Sequence, residues 1–233
     1  MTTLFALPGS FSPADALALF WLFFSWFAIG WFIEHPPKNH PSVSILMKEY
    51  RRDWMRQFVT RSPRIFDANI LTTLREGTAF FASACLIAIG GGLALIGKTD
   101  QLAGVARQFD IDHVPALMWE IKIVVVLFFV ANALLRFIWS HRLFGYCAIL
   151  MGAVPNDVTD PTAIPRALKA AEINITAAKS FNSGLRCVYF SLGALGWLAG
   201  PLWLAIATTA VLAMNIRREF GSGSRRAILH GPG

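Results

Sequence analysis

The stretch Val124–Tyr146, VVVLFFVANALLRFIWSHRLFGY, decides the fold class of this chain. It opens as a run of apolar residues of the length that a helix needs to cross a lipid bilayer. Asn132 and Arg136 lie inside that run, and His141 and Arg142 follow it. A charged side chain at the centre of a bilayer costs at least about 2.5–3.5 kcal/mol. The sequence therefore predicts a membrane helix whose arginine has a structural or functional reason to be there.

Further apolar stretches place the whole chain in the same class. Its 233 residues are 55% hydrophobic and only 15% charged, with a mean hydropathy of +0.51. The candidate spans are Ala14–Ile33, Gly77–Ile96, Leu117–Trp139 and the longer Leu185–Met214. Apolar and polar positions do not alternate strictly within them. A membrane barrel would instead show alternating segments of about ten residues. We expect an all-α transmembrane helical bundle, with one membrane domain over residues 1–220 and a disordered tail over residues 221–233.

Charges beside the spans predict the orientation, since cytoplasmic segments of membrane proteins are enriched in Lys and Arg. The segment between the first and second spans is the most basic part of the chain. The segment between the second and third spans carries more Asp than Lys and Arg, and the segment after the third span is basic again. These charges predict an N-terminus outside the cell and a first loop in the cytoplasm.

The fourth apolar stretch leaves two topologies open. Four arginines follow it, which predicts a cytoplasmic C-terminus. A single kinked crossing gives four spans but places those arginines outside. A turn at Gly200-Pro201 gives two short legs and five spans, and we favour it because proline lacks the N–H that a continuous helix uses. Trp197 and Trp203 flank this turn, as an interfacial aromatic pair would.

The first loop contains a segment with a second kind of pattern. Apolar residues recur at helical spacing through Val43–Val59, whereas Lys48, Arg51, Arg52 and Arg56 occupy the opposite face. A helix with such a basic face is suited to lie on an anionic membrane surface. We therefore expect a basic amphipathic helix lying flat on the cytoplasmic leaflet.

Polar side chains recur on one face of the third span and at the start of the fourth stretch. Asn132 and Arg136 are four residues apart, as are Asn182 and Arg186, so each pair shares a helix face. In the predicted topology both faces lie in the cytoplasmic half of the membrane, near the start of the second span. The sequence thus predicts one basic pocket there, with the candidate ligand-binding residues Arg75, Glu76, Asn132, Arg136, Arg142, Asn182 and Arg186.

Three interpretations of these residues stay open. The arginines can lie near span ends and snorkel to lipid phosphates. They can belong to an internal network in which Glu76 or Glu172 is the counter-ion. They can also form a site for an anionic group such as a lipid head group, a phosphate or a carboxylate, because basic residues outnumber acidic ones here.

Other functional classes find little support in the sequence. The net charge of +7 comes from residues beside the spans, and no nucleic-acid-binding signature accompanies it. The three cysteines lack CxxC spacing and are expected to be buried free thiols. His35 and His40 enclose two prolines without a third ligand nearby. We therefore predict no catalytic residues, no metal site, no cofactor and no nucleic-acid partner.

Four segments in order carry a resemblance to a known family. They are REGTAFFASA at 75–84, FIWSHRLFGYCAILMGAVP at 137–155, FNSGLRCVYFSLGALGWLAGP at 181–201 and NIRREFGS at 215–222. Over about residues 15–222 the chain resembles the membrane proteins grouped as domain of unknown function 599, found in bacteria and plants. The resemblance implies a multi-helix integral membrane protein and no particular activity. The positions that match its motifs include Arg75, Ser140, Arg142, Tyr146, Asn182, Arg186, Tyr189, Pro201, Arg218 and Glu219.

These observations together predict a multi-pass protein of the bacterial inner membrane that is not an enzyme. Its basic pocket near the cytoplasmic leaflet would bind an anionic lipid, or the protein would serve as an accessory subunit of a complex. The expected partners are anionic membrane lipids and either another membrane protein or a second copy of the chain. The alternative is a small transporter or channel for an anionic solute. A membrane enzyme that acts on lipid is a third interpretation, which is disfavoured because the sequence shows no nucleophile or metal-ligand set.

Overall fold

The computed structural model describes residues 11–98 and 116–230. Within these ranges the chain forms helices and no strand, so the predicted all-α class is confirmed. The helices are α1 (Pro13–Glu34), α2 (Val43–Thr60), α3 (Ile65–Ile96), α4 (Ala116–Gly152), α5 (Ala163–Ala194), a short 3-10 helix (Leu195–Ala199), α6 (Pro201–Phe220) and α7 (Gly223–His230). The segment predicted to connect the second and third spans lies almost wholly outside the described residues.

Three of the helices in the described ranges are long and apolar enough to cross a membrane. They are α1, α3 and the part of α4 from Leu117 onwards. Helices α3, α4 and α5 contain 32, 37 and 32 residues, which makes them about 48–55 Å long at about 1.5 Å per residue. Because a bilayer core is only about 30 Å thick, these helices are long enough to form a bundle that continues beyond it.

Helix α2 packs against the ends of α4 and α5, at what we call the α2 end of the bundle. Met55, Phe58 and Val59 are at most 3% exposed and share a core with the last turns of α4 and with five small residues of α5, which are Ala163, Ala167, Ala170, Ala171 and Ala177. The predicted amphipathic helix is confirmed. However, the C-terminal half of its apolar stripe faces protein and not lipid, because the long ends of α4 and α5 present an apolar surface that it covers.

The chain reverses direction between α5 and α6, at what we call the hairpin end. Gly200 has φ +119° and ψ 170°, a conformation that side chains with a Cβ rarely adopt, and Pro201 begins α6. Gly196 lies against Trp203 and Ala207 of α6. Gly193, one turn earlier in the chain, lies against Val211, which is further along α6. The predicted turn at Gly200-Pro201 is therefore observed as a helical hairpin, in which α6 returns along α5 and α1.

The two tryptophans that flank this turn have different environments. Trp203 is 56% exposed, as expected of an interfacial residue, whereas Trp197 is 0% exposed. The indole Nε1 of Trp197 donates a hydrogen bond to Asp15 Oδ1 at 2.7 Å. The interfacial interpretation of Trp197 is therefore wrong, because the hairpin folds back over the start of α1 and encloses its ring.

The C-terminal segment differs from the disordered tail that the sequence predicts. Gly223–His230 forms α7, whose start is capped because the Arg225 backbone N–H donates to Ser222 Oγ at 3.1 Å. Arg225 Nε also donates to the Pro41 carbonyl at 3.0 Å. These contacts attach a polar segment, which has little apolar surface of its own, to the connection between α1 and α2. Residues 231–233 lie outside the described range.

Candidate functional site

A cleft of about 490 Å³ opens at the α2 end, between α1, α2, α5 and α6. We call it the basic cleft, because four Lys or Arg side chains and two carboxylates line it. Its polar lining consists of Glu34, His35, Ser44, Lys48, Arg51, Lys179, Asn182, Arg186 and Glu219. A volume of this size is in the range of small-molecule sites in proteins.

Arg186 is the most buried cation of the basic cleft, at 7% exposed. Among the described residues its one ion pair is with Glu34, at 3.7 Å between Nη2 and Oε1. Glu34 is bound more closely by Lys179, whose Nζ lies 2.8 Å from Oε2. Burying a charge is costly unless it is well paired and hydrogen-bonded, so the long contact leaves Arg186 with unused capacity to bind an anion.

The counter-ion of Arg186 is not one of the two that the sequence suggested. Glu76 is exposed on α3, and Glu172 accepts a hydrogen bond from Arg52 Nε at 2.7 Å. Glu34 takes this role because the end of α1 lies beside α5 in the bundle. A signal for it existed, since Glu34 and Arg186 both lie at the predicted cytoplasmic end of an apolar run.

The second carboxylate of the basic cleft is already hydrogen-bonded. Glu219, near the end of α6, accepts bonds from the Ser44 backbone N–H at 3.0 Å and from Ser44 Oγ at 2.9 Å. Ser44 lies in the first turn of α2, where the helix dipole favours a negative group. Glu219 therefore binds the start of α2. It has no ion pair with Arg186 among the described residues, but its negative charge still acts on Arg186 electrostatically.

Arg51 supplies a second partly buried cation on the α2 wall. Its Nη1 donates to Oδ1 of Asn174, a residue that is 0% exposed on α5. Burial lowers the pKa of the Arg51 guanidinium from its ordinary value, because the charged form loses hydration. An anion bound in the cleft would offset part of this desolvation.

Arg136 interrupts the apolar run of α4. It is half-buried and lies near Arg186 of the basic cleft. Its Nε is enclosed and has no hydrogen-bond partner in the described part of the chain. Arg136 lies beside the Cys187 thiol of α5 and acts electrostatically on Arg186. The structure thus brings the two predicted arginines near each other, whereas Asn132 donates to the Phe128 carbonyl of its own helix at 2.9 Å.

The remaining predicted site residues lie elsewhere. Asn182 lines the basic cleft together with Arg186. Arg75 lines a separate cleft between α3 and α4. Arg142 is exposed and donates to Tyr146 Oη at 2.5 Å, and Glu76 is exposed as well. The seven candidates are therefore divided among several places, and only part of them belongs to one pocket.

Comparison with known families finds a match that covers most of the chain. Residues 17–224 match the family described as Protein of unknown function, DUF599. The chain belongs to this family. Neither curated proteins nor solved structures give a match. Three positions of the DUF599 motifs noted above, Asn182, Arg186 and Glu219, line the basic cleft of this DUF599 protein.

The chemistry available in the basic cleft is that of an anion site. The described residues contain no group of three His, Cys, Asp or Glu side chains that could hold a metal. Lys and Arg have hydrogen-bond donors and no acceptors, and here they outnumber the carboxylates. The arrangement can therefore bind a phosphate or carboxylate through charge-assisted hydrogen bonds.

Proposed function

We propose that this DUF599 protein is a multi-pass protein of the bacterial inner membrane that binds a phosphate-bearing lipid head group in the basic cleft. It is not an enzyme in this proposal. The chain crosses the membrane five times, with its N-terminus outside and its C-terminus in the cytoplasm. The α2 end, with the basic cleft, then lies at the cytoplasmic leaflet, where anionic lipids attract basic segments.

One observation carries the proposal. Arg186 is 7% exposed, yet its only ion pair among the described residues has a length of 3.7 Å. A phosphate in the cleft would accept bidentate hydrogen bonds from this guanidinium, which is the geometry that arginine favours. Lys48 at the wall supplies further charge without requiring a fixed orientation, whereas Lys179 is already paired with Glu34.

Thermal unfolding in a neutral detergent tests this function. Phosphatidylglycerol at about 100 times its dissociation constant stabilises a binding protein by about 2.7 kcal/mol, which is about 5–10 °C for a chain of this size. We expect that shift for wild type, none for phosphatidylcholine, and its loss in Arg186→Gln. The matched control is Arg56→Gln, because Arg56 is exposed on α2 and pairs with Asp53 at 2.6 Å.

Two outcomes would contradict the proposal. An equal shift by phosphatidylglycerol in Arg186→Gln and in wild type would place the lipid elsewhere. Uptake of an anionic solute, such as phosphate, by proteoliposomes that contain wild type but not Arg186→Gln would favour the transporter alternative.

A further inference from the structure

A second cleft, of about 370 Å³, lies between α3 and the last part of α4. We call it the Arg75 cleft. The four residues Ala68, Leu71, Thr72 and Arg75 line it from α3, and their spacing places them on one helix face. It shares no lining residue with the basic cleft. Neither the family nor the proposed function assigns it a role.

Arg75 is the unsatisfied cation of this cleft. Its Nε is enclosed and lacks a hydrogen-bond partner, and Arg75 has no ion pair within residues 11–98 and 116–230. No carboxylate lines the cleft. The acidic residue two turns earlier on α3, Asp67, is already bound by Arg61 and by Trp54 Nε1 at 2.6 Å. An enclosed donor without an acceptor is costly, so an anion here would stabilise the folded protein.

The other arginine of the cleft has a purely structural role. Arg64 Nη1 donates to the Val154 carbonyl at 2.8 Å, and Nη2 donates to the carbonyls of Pro155 at 2.8 Å and Val59 at 3.2 Å. Its guanidinium also stacks over the Phe58 ring, 4.5 Å from the centroid. Arg64 thus closes the ends of α2 and α4, which leaves Arg75 as the cation available to a ligand.

The walls of the Arg75 cleft are largely apolar. Phe58, Leu71 and Met151 line it together with two alanines, and Thr72 and Asn156 add neutral hydrogen-bonding groups. We infer that the Arg75 cleft binds an amphiphile with one anionic group, either a carboxylate or a phosphate. The anionic group lies on Arg75, and the alkyl chain lies along the apolar wall. A fatty acid and a phospholipid both carry this chemistry.

Native mass spectrometry with dodecyl phosphate tests the inference. If both clefts bind, wild type takes up two molecules, whereas Arg75→Gln takes up one. Gly152→Leu should also take up one, because Gly152 lines the cleft and a Cβ there meets nothing within 4 Å, so the larger side chain fills the cleft while Arg75 stays in place. Arg56→Gln is again the matched control and should bind like wild type.

Affinity at the Arg75 cleft should fall about tenfold or more in Arg75→Gln, as expected when a charge-assisted hydrogen bond is lost. Inorganic phosphate has no alkyl chain and should not compete there. Laurate carries a carboxylate and phosphatidylglycerol carries a phosphate. Comparing the binding of these two amphiphiles to the Arg75 cleft therefore distinguishes a fatty acid from a phospholipid as the source of the ligand. If inorganic phosphate competes as well as dodecyl phosphate, the apolar wall plays no part and the inference fails.

The stoichiometry also separates this inference from the proposed function. Arg186→Gln should lose the molecule in the basic cleft and keep the one in the Arg75 cleft. Two molecules bound to both Arg75→Gln and Gly152→Leu would overturn the inference and leave the basic cleft untouched. Two molecules bound to Arg186→Gln would instead count against the proposed function alone.

Discussion

At the scale of single residues, Arg136 shows how an arginine is accommodated in an apolar run. It is half-buried beside Cys187, with its Nε enclosed. It also acts on Arg186, so two like charges lie near each other at the edge of the basic cleft. Such a pair is costly without a negative group. Glu34 and Glu219 supply part of that charge, and a bound phosphate would supply the rest.

Arg136 should therefore contribute to anion binding through its charge. Because Arg136 acts on Arg186 electrostatically, we expect its loss to cost about 1 kcal/mol, which is the energy of two charges about 15 Å apart at an effective dielectric constant of about 20. We expect Arg136→Gln to bind phosphatidylglycerol about fivefold more weakly in the basic cleft, whereas Arg136→Lys keeps the charge and stays near wild type. Titration in neutral detergent measures this difference. If both variants match wild type in lipid binding and stability, Arg136 is a snorkelling residue.

At the hairpin end, the contact between Trp197 and Asp15 holds the helices together. The Ser12 backbone N–H also donates to the Asp15 carboxylate at 3.1 Å, and the Asp15 backbone N–H donates to Ser12 Oγ at 3.2 Å, so Asp15 completes the capping box of α1 while its carboxylate holds the hairpin. Lys122 lies nearby, with its Nζ 5.2 Å from the Trp119 centroid and 5.9 Å from that of Trp197. This cluster joins α1, α4 and the 3-10 helix.

Replacing Trp197 by Phe should destabilise the protein by about 1–3 kcal/mol, because Asp15 would lose a buried hydrogen bond. Trp203→Phe is the matched control, since Trp203 is 56% exposed and its loss should change little. Thermal unfolding of both variants in the same detergent gives the comparison. Equal stability of the two variants would mean that the Asp15 contact contributes nothing.

At the scale of helices, close packing in the hairpin depends on one glycine. A Cβ at Gly196 would lie 2.8 Å from the Trp203 carbonyl oxygen, which is backbone and cannot rotate away. This agrees with the small-residue spacing in GWLAG, which is typical of close helix contacts. Gly200, the other glycine of that motif, is needed for its positive φ instead.

Gly196→Ala should therefore lower the free energy of unfolding by about 1–3 kcal/mol, the usual cost of overpacking. Gly90→Ala is a control of the same chemistry, because a Cβ at Gly90 meets nothing within 4 Å. Alanine has the higher helix propensity, so Gly90→Ala should be neutral or stabilise α3 by up to about 1 kcal/mol. Chemical or thermal denaturation in detergent would show the opposite signs. A neutral Gly196→Ala would mean that the hairpin is loosely packed.

At the scale of the whole molecule, the α2 end joins segments that are far apart in the sequence. Ser42 Oγ donates to the Ile33 carbonyl at 2.8 Å, Glu219 binds Ser44, and Arg225 binds Pro41. The end of α6 therefore lies on the same side as the connection between α1 and α2. That arrangement agrees with an even number of crossings between them, as five spans require.

Reporter fusions should place these segments in one compartment. A reporter active only in the cytoplasm, fused after Phe220, should be active, and a reporter inserted between α1 and α2 at residues 36–40 should give the same result. Activity of a periplasmic reporter after Phe220 would contradict the five-span topology. Opposite results for the two positions would place Arg225 and Pro41 on opposite sides of the membrane and would contradict the contact between them.

A structural feature of this protein could be predicted from the sequence when it depends on residues that are close together in the chain. The apolar runs, the turn at Gly200-Pro201 and the amphipathic α2 all follow from residues that are neighbours in the chain. The site was only partly predictable. Asn182 and Arg186 do share a cleft, but the partner of Arg186 and the separate location of Arg75 were not predicted. No local pattern tells which way a helix is rotated within a bundle.

The sequence by itself determined the class of this protein, because a helix of about 20 apolar residues satisfies its own backbone hydrogen bonds and needs no partner to do so. It also determined where the chain reverses, since Gly and Pro act on the backbone directly. Only the tertiary structure decided that Glu34 faces Arg186, that Trp197 is buried on Asp15 and that Arg75 lines its own cleft. Those outcomes depend on the order and rotation of helices around the bundle, which packing between distant segments sets.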